Sequence, residues 1–134
     1  MLASSVTAIR LTLHVLAASI WVGGQIVLMG QMRALKSLGP EASEAIAKAF
    51  DRLAWPAYAV LVITGFWNIS TFRWSYESFA WKAVLIAKIV VVALAGLGAL
   101  LHARATTKAG LAMWGSVAGL ASVAALAMGI LLAG

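Results

Sequence analysis

Cysteine is absent from the 134 residues, which excludes disulfides, zinc–thiolate centres and thiol nucleophiles. Charge is scarce too: Asp and Glu number 4, Lys and Arg 10, together 10% of the chain. Only two prolines interrupt it. In their place stand 63% hydrophobic residues and a mean hydropathy of +0.99, beyond the range of an ordinary water-soluble domain.

The few charges are spaced so that long uncharged stretches remain. Between Arg10 and Arg33 lie 22 residues without a formal charge, between Arg52 and Arg73 lie 20, between Lys82 and Arg104 lie 21 with Lys88 among them, and 26 follow Lys108. A membrane-spanning helix needs about 20 largely apolar residues. The expectation is an all-α integral membrane protein, a four-helix up-down bundle with spans at 8–32, 54–72, 80–102 and 110–133 in a single transmembrane domain over residues 1–134. Four spans leave no room for a separate soluble catalytic domain, so any chemistry belongs inside the bundle or at its rim. The first span is longer than the apolar core of a signal peptide and is read as a retained helix. Between the first two spans, Gly39-Pro40 marks a helix start, and Ile46, Phe50 and Leu53 recur at helical spacing. That pattern predicts an amphipathic interfacial helix.

The net charge of +6 is scattered over span ends and forms no patch for nucleic acid. It does predict orientation. Arg33, Lys36, Lys48, Arg52, Arg104 and Lys108 fall on one side, and Arg10, Arg73 and Lys82 on the other. The positive-inside rule then places both termini outside, in a bacterial-type inner membrane. Trp55 and Trp114 fall at the inner interface and Trp74 and Trp81 at the outer one. Trp21 breaks the pattern by sitting near mid-membrane. In the fourth span, Gly115 and Gly119 have the Gly-xxx-Gly spacing of close helix contacts, within the bundle or in a homodimer.

Polar groups inside spans are costly, and each is a functional candidate by default. At about 1.5 Å per residue, His14 lies roughly 9 Å below the outer end of its span, Asn68 roughly 6 Å and Lys88 roughly 12 Å. All three fall in the same outer third. His102 lies about 21 Å further along the third span than Lys88, so a bis-histidine site within one protomer is not expected. Met128 in the fourth span offers a soft ligand. Plainer readings exist for each: Lys88 snorkelling to the interface, His14 bonded to a neighbouring helix, Trp21 filling the core, His102 at an interface, and Met29, Met32 and Met128 packing.

The run His14-Val-Leu-Ala-Ala-Ser-Ile-Trp21-Val-Gly23-Gly24 resembles the H-x6-W-x-G-G signature of CopD-type membrane proteins and, more distantly, of HemJ-type protoporphyrinogen oxidases. Thr64-Gly65 is similar to the family's T-G, and Leu85-Ile-Ala-Lys88 to its L-x-x-K. The resemblance implies a four-helix membrane module with His14 and Lys88 as functional positions. It implies haem b on the HemJ side and copper on the CopD side. In length the chain is similar to HemJ-type proteins, whereas its Gly23-Gly24 pair is more CopD-like.

Chemistry weighs the two branches. Copper transport calls for several soft ligands at successive depths, and the chain has four methionines beyond Met1 and no cysteine. Haem calls for one strong axial ligand, an apolar cleft and cations near the propionates. His14, the Ala- and Gly-rich spans with Trp21 and Trp67, Asn68, and the outer cations Arg10, Arg73 and Lys82 suit it. The expectation is therefore haem b ligated by His14 and a membrane oxidoreductase or electron-transfer role with a quinone, porphyrin or other lipophilic substrate. Lys88 is a sixth ligand, charge partner or proton relay. Copper on His14 and Met128 is the alternative. A subunit that binds no metal and docks through its fourth span is a third reading.

Overall fold

A computed structural model describes residues 2–134, and every regular element among them is helical. α1 runs Ser5–Ala18 and continues through a π-turn, Ser19–Gly23, into α2, Gly24–Ser37. α3 spans Pro40–Ser70, α4 Phe79–Arg104 and α5 Lys108–Ala133. The π-turn does not break the first helix, so Ser5–Ser37, Pro40–Ser70, Phe79–Arg104 and Lys108–Ala133 are four continuous helices long and apolar enough to cross a membrane.

The helix starts follow local chemistry. Ser4, Ser78 and Thr107 cap α1, α4 and α5, each side chain accepting from a backbone N–H three residues on. α3 begins differently. Gly39 adopts φ 105°, which side-chain-bearing residues rarely take, and hands the chain to Pro40 in the first turn.

Residues 40–53, expected as a separate interfacial helix, are instead the N-terminal half of α3. Pro56 lies inside α3 and removes one helical N–H, yet the helix continues. Packing on its two sides holds it together: Ala54 and Ala57 are buried just before and after the proline. With 31 residues α3 is about 46 Å long, against an apolar bilayer thickness of about 30 Å. Its first turns carry the ion pair Lys48–Glu44 at 2.7 Å, which suits the end that lies beyond the hydrocarbon.

The chain divides into a first unit ending at Phe72 and a second from Arg73 to Gly134. The first is α1, the π-turn and α2 against α3; the second is α4 against α5. Both pairs are antiparallel. In the first unit His14 meets Thr64, and Gly24 meets Phe50. In the second Lys88 meets Gly129, and Gly98 meets Ala118. The buried stripes are built from small residues, Ala17, Ala54 and Ala57 in one pair and Ala95, Gly96, Gly98 and Ala118 in the other. Large aliphatic side chains such as Val15, Ile63, Ile86 and Leu120 face outward. That inversion of a soluble core is how helices pack when lipid is the solvent.

Candidate functional site

The polar centre of the first unit is the bond between His14 and Thr64. The Nδ1 of His14 lies 2.8 Å from the Thr64 hydroxyl. That hydroxyl has a single hydrogen, and it is already donated to the Val60 carbonyl at 2.6 Å, with the Leu61 carbonyl at 3.3 Å as a second acceptor. Towards the imidazole Thr64 can therefore only accept. His14 is the donor, its proton is on Nδ1, and in the neutral ring the lone pair belongs to Nε2. Thr64 is 3% exposed, so the acceptor is shielded from competing water. Gly65, next along α3, keeps the ring's flank open: a Cβ there would stand 3.5 Å from His14 Cε1.

One turn from this bond, towards the N-terminus of α1 and the C-terminus of α3, Arg10 and Asn68 follow at i−4 and i+4, on the facing sides of the seam. Among the described residues, Arg10, 9% exposed, has no hydrogen-bond partner for its Nε, and Asn68 Oδ1 is buried without one.

Two turns from His14 in the other direction along the helix, Trp21 occupies the π-turn and is buried among aromatics of α3. Its ring centroid is 5.5 Å from Trp55 and 4.6 Å from Tyr58, which are themselves 5.8 Å apart. The Trp21 carbonyl accepts from the Gln25 side chain at 2.9 Å, which serves a backbone group in the loosened turn. The next motif residue, Gly24, is a contact point: a Cβ there would meet Phe50 Cε2 at 2.5 Å. Gly24→Ala is therefore expected to lower thermal stability by about 1 kcal/mol, the cost of a modest overpacking. Since the obstructing atom is a ring end, Phe50→Leu in the same chain should recover most of the loss, a non-additivity read from a double-mutant cycle.

The second unit holds the remaining candidates. Lys88 lies over a glycine of α5: a Cβ at Gly129 would be 3.0 Å from the Lys88 Nζ. Met128, beside that glycine, is half-buried, and Arg73 is exposed at the start of the unit. His102 is exposed and donates from Nδ1 to the Leu111 carbonyl at 2.7 Å, a tie across the α4–α5 turn. Gly115 sits beneath that ring, with a Cβ there 3.0 Å from His102 Nδ1, whereas Gly119 has nothing within 4 Å. Trp81 donates to the Leu132 carbonyl at 3.2 Å and closes the other end of the pair.

Among the candidates, then, Arg10, His14, Trp21 and Asn68 line one seam of the first unit, while Lys88, Met128 and Arg73 belong to the second. No group of three or more His, Cys, Asp or Glu suited to a metal ion occurs among the described residues. Thr64 as the partner that orients the histidine was not singled out by its position in the sequence, although the Thr64-Gly65 pair had drawn notice. Phe50 is legible only as one of three apolar residues at helical spacing, and Gly98 and Gly129 give no signal beyond their residue type. Compared with family models, curated proteins and solved structures, the chain matches none.

Proposed function

We propose that the protein is a small integral membrane haem b-binding protein in which His14 is an axial ligand of the iron. The observation that carries the proposal is the His14–Thr64–Val60 hydrogen-bond chain. Histidines that bind metal commonly donate their other ring N–H to a fixed acceptor, which sets the tautomer and the ring orientation. His14 has that arrangement through Nδ1, and Nε2 would be the nitrogen that holds the iron.

The residues around it fit the group. Ala17 and Ala57 keep the helices slim near the histidine, Gly65 places no side chain against its ring, and Arg10, one turn along α1, has a buried Nε without a partner among the described residues. Bound haem would supply one-electron transfer; the chain's part is to hold it, orient it and exclude water. In the up-down threading with both termini outside a bacterial-type inner membrane, the protein would act as an oxidoreductase that exchanges electrons with a quinone or a porphyrin, and Lys88 of the second unit, placed over Gly129, would be its half-buried cation.

The test is spectroscopic. Purified protein supplied with haem b is expected to show a Soret band, and His14→Ala to lose it while the helical circular dichroism is kept. An unchanged band in His14→Ala removes the assignment. Stoichiometric copper with no iron in freshly isolated protein would transfer His14, with Met128, to a copper-binding role.

A further inference from the structure

A charged side chain buried among apolar helices is expensive unless an opposite charge meets it. Arg10 is 9% exposed, yet among the described residues it is in no ion pair and its Nε has no acceptor. The acidic residues of its own unit, Glu41, Glu44 and Asp51, lie in the N-terminal half of α3. Even Asp51 is 17 residues from Asn68, the α3 residue level with Arg10, or about 25 Å along the helix. No carboxylate of this unit reaches it. At the same level across the seam, the Asn68 side chain has a buried Oδ1 without a donor. Two unsatisfied polar groups thus face one seam a single turn from His14.

From this we infer that Arg10 and Asn68 form a binding site for the carboxylate of an amphipathic, membrane-soluble ligand. The side-on fork of Nε and Nη matches the two oxygens of a planar carboxylate. A half-turn of the Asn68 amide about its last bond presents NH2 in place of the oxygen, which adds a third donor. The rest of the molecule would run along the seam past the His14–Thr64 bond, towards an apolar groove of about 240 Å³ bordered by Leu13, Leu16, Ala17 and Ile20 on one helix and Leu53, Pro56, Ala57 and Val60 on the other. The carboxylate has two sources, a propionate of haem or the head of a free fatty acid. In the first case the inference rests on the haem reading above; in the second it does not.

The experiment compares each acid with its own ester on the full chain in detergent. Haem b and its dimethyl ester are followed by the Soret band, cis-parinaric acid and its methyl ester by energy transfer from tryptophan. Wild type is expected to bind at least one acid more than about tenfold tighter than its ester. Arg10→Gln should bring that acid to the ester's affinity and leave the ester unchanged, Arg10→Lys should keep part of the preference, and Asn68→Ala should reduce it. Equal affinity for acid and ester in both pairs overturns the inference, since it shows that the carboxylate is not recognised. That result needs no variant to fold. A Soret band without acid preference in either pair overturns this inference and leaves the haem reading standing. An Arg10-dependent preference for parinaric acid without any Soret band does the reverse.

Discussion

Thr64→Val is expected to weaken haem binding by roughly ten- to a hundredfold, the range typical when the outer partner of a metal-binding histidine is removed. Valine keeps the shape of threonine and removes the hydroxyl alone. Nδ1–H then loses the acceptor 2.8 Å away at a position shielded from water. A buried donor left without an acceptor costs about 1–3 kcal/mol. The ring can relieve that cost by moving its proton to Nε2, which takes the lone pair from the nitrogen that would bind iron. Thr64→Ser retains the oxygen and is expected to stay near wild type. Haem titration followed at the Soret band, with thermal unfolding of the haem-free protein alongside, checks both effects. Equal haem affinity in the valine and serine variants would show that Thr64 does not set the tautomer.

The second large effect is expected in the α4–α5 pair. A Cβ at Gly98 would lie 2.9 Å from the backbone nitrogen of Ala118, 3.0 Å from Val117 Cγ1 and 3.3 Å from Ala118 Cα. Backbone atoms cannot rotate away as a side chain can, so the two helices must separate. Gly98→Ala should lower stability by about 1–3 kcal/mol, and Gly98→Val by more. Gly119→Ala has open space and should be neutral or raise stability by up to about 1 kcal/mol through helix propensity. Thermal unfolding of the two alanine variants in one detergent decides it. Equal Tm values would mean that the close contact lies elsewhere.

That contrast shows what the sequence could and could not reveal. The four spans were readable because a helix in lipid must be long and uncharged, a constraint that acts on every residue of it. The face of a helix that packs is harder to read, since lipid and protein interior are equally apolar. Gly115 and Gly119 have the familiar spacing, yet Gly98 makes the backbone contact and Gly119 makes none. The segment before the second span reads as a separate element because the uncharged stretch begins only after Arg52, whereas α3 runs without a break from Pro40 to Ser70. Backbone continuity there depends on the burial of Ala54 and Ala57, a tertiary effect. At the candidate site, the positions of His14 and Asn68 were legible from the cost of polarity in a span. The partner of His14 was not, because a threonine inside a helix usually bonds back to its own backbone, as Thr64 also does.

The chain from His14 through Thr64 to Val60 also bears on leakage. It ends on an amide carbonyl, which cannot pick up a proton and forward it. Traffic entering from the imidazole by Nδ1 meets a dead end after one hydroxyl. Proton leakage from the imidazole into α3 is thereby closed off along this bond.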